Sequence, residues 1–302
     1  MPDPGSSISY GLEGPSSILT ILGIAIDTIA GVLRLPADKL QRLLSTVEAW
    51  LHRKSCTRKE LESLIGTLQH ACTVIRPGRS FLQRAIALLG MAKQPFHHIR
   101  LNKEFQADLL WWKTFATHWN GTALILAPNQ PHPIVVTSDA SGTWGCGAWC
   151  DQQWFQLKWD SSSREKQIAV KELIPVVIAA AIWGHQWSGR RVLSNCDNQA
   201  VVAVINSRYS KEKDLMQLLR CLFFLEATSQ FHLVAVHLPR VLNDCADDLS
   251  RNRLPSFRMK RPQAAQLPSP LPPSLLQWLL HPDLNWTSPS WTQQFSSFVK
   301  RA

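Results

Sequence analysis

The chain has 302 residues, 45% of them hydrophobic and 18% charged, a balance that excludes both a disordered chain and a disulfide-stapled miniprotein. Lys and Arg number 32 against 22 acidic residues, and a net charge of +10 favours a polyanionic partner without saying anything about fold. Seven scattered cysteines and no secretory leader predict reduced thiols in a cytoplasmic or nuclear protein, neither secreted nor membrane-bound.

The first seventeen residues, rich in Pro, Gly and Ser, read as an unstructured leader. Residues 18–33 (ILTILGIAIDTIAGVL) read as two short β-rich runs around a turn, a hairpin. After Pro36 the period changes, and Leu40, Leu43, Leu44, Val47, Trp50 and Leu51 recur at helical spacing. Thr57 and Glu60 form a capping box that opens a second helix. A third helix is predicted over 80–91, and a fourth, capped by Asn102, carries Phe105, Leu109, Trp112 and Phe115. A hairpin and a small helical bundle therefore cover 18–121, and APNQPHP (127–133) reads as a linker.

Beyond the linker the pattern is mixed α/β. Strands are predicted over 134–138, 144–149 and 154–159, then a long helix over 169–187 and a fourth strand over 192–196. Helices over 199–206 and 215–227, a fifth strand over 231–237 and a short helix over 244–251 complete a domain of residues 132–254. Eight prolines between Pro255 and Pro289 mark 255–302 as a Pro-rich tail, expected to be mostly extended or disordered.

The acids of the basic chain gather here: residues 131–255 hold 12 of the 22. Asp139 ends the first strand, Glu172 lies early in the long helix, Asp197 ends the fourth strand and Asp247 opens the last helix. If the first and fourth strands are central neighbours, all four carboxylates meet at one sheet edge. Such a cluster needs cations, because like charges a few ångströms apart raise one another's pKa. Two Mg²⁺ ions, which favour oxygen ligands, are the natural occupants for phosphodiester hydrolysis, with Mn²⁺ as a possible substitute.

Residues 134–251 resemble the ribonuclease H domain of retroelement reverse transcriptases. The resemblance rests on SDASGTWGCGAW, KELIPV, CDNQA and HLPRVLNDCADDLSR; the last follows H-x-P-x-x-x-N-x-x-A-D-x-L-S-R, with Arg240 where Gly is usual. Residues 18–120 are similar to the primer-grip, thumb and connection region that follows the polymerase palm, and the whole is most similar to DIRS-type elements. No Tyr/Phe-x-Asp-Asp palm motif occurs, so the chain reads as a fragment of such a polyprotein, with no polymerase activity of its own. The resemblance implies an α/β, ribonuclease H-like mixed five-stranded sheet with flanking helices, preceded by the hairpin and bundle. It implies that Asp139 bridges both metals, Glu172 and Asp197 complete one site and Asp247 the other. It also implies proton transfer or product release by His237 and a minor-groove contact by Asn198. His237 is equally readable as a structural hydrogen-bonding group, and Asn198 as the N-cap of its own helix. Asp248, beside Asp247 on the helix, is expected to face solvent or Arg251.

Cys146 and Cys150 share a strand face without a second pair at zinc spacing. The tryptophans at 144, 149, 154, 159, 183 and 187 suit core positions better than base stacking. Arg53, Lys54, Arg58, Lys59, Arg76, Arg79 and Arg84 read either as helix-surface charges or as a track for a duplex backbone. The expected activity is Mg²⁺-dependent hydrolysis of the RNA strand of RNA–DNA hybrids, with the remaining polymerase part in trans as a further partner. The alternatives are a catalytically silent nucleic-acid-binding remnant and an inert relic.

Overall fold

The computed structural model describes residues 16–118, 122–125, 132–271 and 275–280, so most of the leader, the linker and residues 281–302 lie outside it. The chain enters as β1 (Ile18–Ile21) and β2 (Ile24–Asp27), joined by a two-residue turn at Leu22 and Gly23, both with positive φ (50° and 76°). That pair of left-handed residues is what a tight hairpin turn needs to match the twist of its strands. After β3 (Val32–Arg34), α1 (Ala37–Leu51) turns Leu43, Val47 and Trp50 inward. Then come β4 (Ser55–Thr57) and α2 (Arg58–Ala71), whose capping box forms as expected: Thr57 accepts from the Glu60 amide and Glu60 from the Thr57 amide. The predicted third helix divides into a 3₁₀ turn (Arg76–Phe81) and α3 (Gln83–Met91). Following β5 (His98–Arg100), the Asn102 side chain accepts from the Phe105 amide at 2.8 Å and caps α4 (Lys103–His118). Finally β6 (Thr122–Leu124) pairs with β3.

The expected hairpin is thus part of a four-stranded antiparallel sheet in the order β1-β2-β3-β6, and β4 and β5 form a separate ribbon. Strands of three residues show no alternation to read, and β6 returns from about ninety residues downstream of β3. Phe81 and Phe115 both stack on Trp111, at 3.7 and 5.0 Å between ring centroids, within the bundle. Three of the seven basic residues read as helix-surface charges or a duplex track form ion pairs within the bundle's own surface. Arg53 pairs with Glu60, Arg58 with Glu62, and Arg84 with Asp108.

The second half forms the mixed sheet. β7 (Ile134–Ala140), β8 (Gly145–Cys150) and β9 (Gln153–Lys158) make an antiparallel meander, followed by α5 (Ser161–Arg164) and α6 (Ile168–Trp183) with a 3₁₀ extension, Gly184–Trp187. β10 (Arg191–Cys196) lies parallel to β7, and after α7 (Gln199–Ser207) and α8 (Lys213–Ser229), β11 (His232–His237) lies parallel to β10. A 3₁₀ turn (Arg240–Leu242), α9 (Asp244–Ser250), α10 (Leu254–Lys260) and α11 (Leu275–Leu280) follow. The order β11-β10-β7-β8-β9 makes β7 and β10 adjacent at the centre, in the α/β, ribonuclease H-like arrangement that the sequence implied.

The span Ile168–Trp187 is long and apolar enough to cross a membrane by length and composition, yet 83% of its apolar window is buried inside the protein. It is the central core helix, and from Val170 to Trp183 every side chain is buried. Trp154, Trp159, Trp183 and Trp187 are likewise core residues, whereas Trp144 and Trp149 are partly exposed.

The two halves share one seam. Asp108 of α4 accepts from Arg84 at 3.0 Å and from Arg220 of α8 at 3.3 Å, and burial, only partly opposed by the two arginines, pushes its pKa up to about 6. Ser80 donates to the Arg208 carbonyl across the same seam at 3.1 Å. Beside it, Glu226 is bound through both oxygens by Arg208 (2.8 and 2.9 Å) and lies 3.0 Å from His232 Nδ1.

The described part of the Pro-rich tail is partly helical and packed onto the domain, with irregular chain over 261–271. α10 places Phe257 against Trp154 and Leu249 in a small second core. Ala265 and Ser269 donate backbone amides to the Gln152 and Trp154 carbonyls at 2.8 and 2.7 Å, and Trp154 Nε1 donates to the Ala265 carbonyl at 2.7 Å. Arg258 lies over the Trp154 ring and donates to the carbonyls of Ala264, Ala265 and Gln266. Pro255 sits in the first turn of α10, where its missing amide costs nothing.

Candidate active site

The four acids singled out in the sequence come from four elements and converge. Asp139 is the penultimate residue of β7, Asp197 follows the last residue of β10, and the pairing of these strands brings both to one end of the sheet. α6 lowers Glu172 from its second turn and α9 contributes Asp247 at its centre. Gly147 of β8 allows the last approach: a Cβ there would meet Leu249 Cβ at 2.5 Å, so only glycine lets α9 lie this close to the sheet.

Each carboxylate is held differently. Asp139, 5% exposed, accepts from Ser250 Oγ on one oxygen and from Asn243 Nδ2 on the other at 3.2 Å. Asn243 Nδ2 also reaches the Ser138 carbonyl at 3.2 Å. Asp247 accepts from Arg251 Nε at 2.7 Å and from Arg253 at 3.4 Å. Glu172, also 5% exposed, takes a hydrogen bond from the Ala140 amide, and its Oε2 is buried without a hydrogen-bond partner. Lys171, next to it, is spent on structure, donating to the carbonyls of Gly142 and Arg164 at 2.9 and 2.6 Å.

The electrostatics follow from this crowding. Burial pushes the Glu172 pKa up to about 9, with the charges of Asp139 and Asp197 adding to the rise and Arg240 opposing it. Burial also pushes Asp139 up to about 6, where Asp197 and Asp247 raise it further and the Ser250 hydrogen bond pulls it back. Glu172, Cys196 and Asp197 offer ligand atoms within 4.8 Å of one another. Burial lifts the Cys196 thiol to about 12, so it stays protonated and the donors are the carboxylate oxygens. A hard divalent cation fits this set: all-oxygen donors, a buried acceptor lacking a partner, and mutual repulsion that a cation would relieve.

His237 ends β11, where the predicted fifth strand also ends, and its register partner is Cys196, the residue before Asp197. Its ring is exposed at the rim of the cluster. Asn198 caps α7, its Oδ1 accepting from the amides of Ala200 and Val201 at 3.0 and 3.3 Å. Asp248 faces neither solvent nor Arg251. It is 3% exposed and accepts from Ser256 Oγ and Lys260 Nζ, both at 2.6 Å, tying α10 to α9, while Arg251 turns to Asp247. The positions that orient Asp139 and Asp247 are Asn243, Ser250 and Arg251, the fixed N, S and R of the motif around Asp247; the motif signals all three, but the sequence suggests a role only for Arg251, and that toward Asp248.

No family model and no curated protein sequence matches the chain. Among solved structures it is similar to the ribonuclease H1 LC11 in complex with an RNA/DNA hybrid, at 20% identity over 40% of this chain and 95% of that one (TM-score 0.35). It is similar to ribonuclease H1 of the archaeon Halobacterium salinarum NRC-1, at 12% identity over 41% and 99% (TM-score 0.32). It is also similar to the foamy viral protease–reverse transcriptase in complex with an RNA/DNA hybrid, at 15% identity over 75% of this chain but only 30% of that one (TM-score 0.30).

Proposed function

We propose that the chain is an endonuclease that hydrolyses the RNA strand of RNA–DNA hybrids, using Asp139, Glu172, Asp197 and Asp247 as ligands for two Mg²⁺ ions, with Mn²⁺ as an alternative. The observation that carries this reading is the convergence of four carboxylates at the end of β7 and β10 around a buried, unpartnered Glu172 oxygen. The ions, when bound, supply a water nucleophile at neutral pH and charge stabilisation at the leaving 3′-oxygen.

The chain's own residues prepare the rest. Ser250 and Asn243 fix the orientation of Asp139, and Arg251 fixes that of Asp247, so neither ligand has to be ordered on binding. His237, exposed beside Asp197, takes or returns a proton at its imidazole as product leaves. Asn198 caps α7 with its oxygen, and its amide nitrogen, which donates no hydrogen bond among the described residues, is offered to the minor groove. Selectivity comes from duplex shape and 2′-hydroxyl contacts, and the net charge of +10 makes binding salt-dependent. The motifs shared with DIRS-type retrotransposons support an origin in such a polyprotein, with its polymerase part in trans and residence in the cytoplasm or nucleus.

The test is cleavage of a labelled RNA–DNA hybrid with Mg²⁺, wild type against Asp139→Asn, with duplex DNA and duplex RNA as controls. Hybrid-only cutting that disappears in the variant is the expected result. Hybrid binding without cleavage by a folded wild type would replace the nuclease with a silent binding remnant.

A further inference from the structure

The turn leading from β11 to α9 carries a cation that the site does not use. Arg240 opens the 3₁₀ turn Arg240–Leu242, and its carbonyl accepts from the amide of Asn243, whose side chain donates to Asp139. The turn is therefore anchored to the carboxylate cluster through Asn243. Arg240 is exposed, and among the described residues its guanidinium makes no hydrogen bond or ion pair. The neighbouring cations are all engaged: Arg251 and Arg253 on Asp247, Lys171 on two carbonyls. Arg240 still lies close enough to Glu172 for its charge to favour the ionised carboxylate. The rest of the turn is apolar and outward-facing, with Val241 83% and Leu242 64% exposed. Val236 and His237, both exposed, adjoin it at the end of β11.

A guanidinium near Glu172, yet paired with no carboxylate among the described residues, is available to an anion arriving from outside. Its planar fork suits a phosphate, and the apolar tip suits the sugar edge of a duplex. The ribonuclease H pattern that the sequence resembles has Gly at this place, so the contact belongs to this chain in particular.

We propose that Arg240 binds a backbone phosphate of the hybrid beside the cut, with Val241 and Leu242 against the adjoining sugars, making the turn a substrate-contacting element. This rests on the nuclease reading above. Two readouts separate it from a structural role, because they move in opposite directions. The first is the salt dependence of binding of a fluorescent RNA–DNA hybrid without divalent metal. Arg240→Gln should weaken binding at low salt and reduce the log–log salt slope by about 0.9, the loss of one phosphate contact. The second is the Mg²⁺ midpoint for thermal stabilisation without hybrid. Removing a like charge near the cluster should lower that midpoint by about two- to five-fold. Arg240→Lys should keep most of the slope.

Arg240 is exposed, so the variants should melt with wild type. A folded Arg240→Gln with an unchanged salt slope overturns the proposal, whatever its Mg²⁺ midpoint. Wild type that binds no hybrid at any salt overturns the nuclease reading itself and the turn's role with it.

Discussion

Replacing Glu172 with glutamine should make the metal-free protein more stable, and increasingly so as pH rises. The carboxyl is 5% exposed and titrates at about 9 in the fold, against a reference value of 4.5. Between those values the folded chain holds a proton that the unfolded chain has released, so stability falls as pH rises. Each unit is worth about 1.4 kcal/mol. Asp139 and Asp108, raised to about 6, contribute falls of the same sign that are nearly complete by about pH 6.5. From about pH 6.5 to about 8.5, then, Glu172 alone should cost wild type about 2.7 kcal/mol, and Glu172→Gln should escape that loss. Urea denaturation in EDTA at several pH values measures it. Added Mg²⁺ should restore wild-type stability at the alkaline end, where the carboxyl is driven to ionise, and do little for the variant. Parallel pH profiles for the two proteins in EDTA would refute the reasoning, because they would mean that Glu172 is not held protonated by its surroundings.

Four further outcomes follow. Ser250→Ala removes a hydrogen bond to the ionised form of Asp139, so the pH at which Mg²⁺ first stabilises the protein should move upward; an unchanged onset by thermal melting would count against the contact. Gly147→Ala drives a methyl into Leu249 and should cost about 1–3 kcal/mol and displace Asp247, read together as lower urea midpoint and lost cleavage. Asp247→Asn and Asp248→Asn should part company: the first abolishes cleavage with stability largely kept. The second should cost about 1–3 kcal/mol, discounted for the partial exposure of Lys260, while cleavage persists in the folded fraction. Phe257→Ala should cost about 3–5 kcal/mol, because the ring is fully buried against Trp154; a loss below about 1 kcal/mol would show that the tail is not part of the core.

The five-stranded sheet was legible because β7 to β11 run six or seven residues and are separated by turns or by helices, and the four acids were legible because they sit at strand ends or within one or two turns of a helix start. The four-stranded sheet was not, since β3 and β6 have three residues each and owe their pairing to the long return through α4. Asp248 departs from its expected exposure for a related reason. Helical angle alone turns it away from Asp247, and nothing local announces that α10 will come back and supply Ser256 and Lys260. The same holds for the bundle arginines: Arg84 is a plausible nucleic-acid contact until α4 presents Asp108 to it from twenty-four residues away. His237 at the end of a strand was legible, because the β-rich run 231–237 stops where Pro239 forbids its continuation.

The tail bears on how the gene may be divided. β9 is the outermost strand of the mixed sheet, and the backbone of Ala265 and Ser269 occupies part of the hydrogen-bonding surface that its start would otherwise present to another chain. A recombinant fragment cut after α9, where the last proposed ligand lies, would bare that strand, uncover Trp154 and leave Asp248 without Ser256 and Lys260. Such a fragment would retain every proposed ligand and still tend to associate through its open edge. Since Leu275 and Leu279 of α11 are buried in the main core as well, the smallest well-behaved version of the ribonuclease H-like half should run to about residue 280, with its solubility governed by residues that never approach a phosphate.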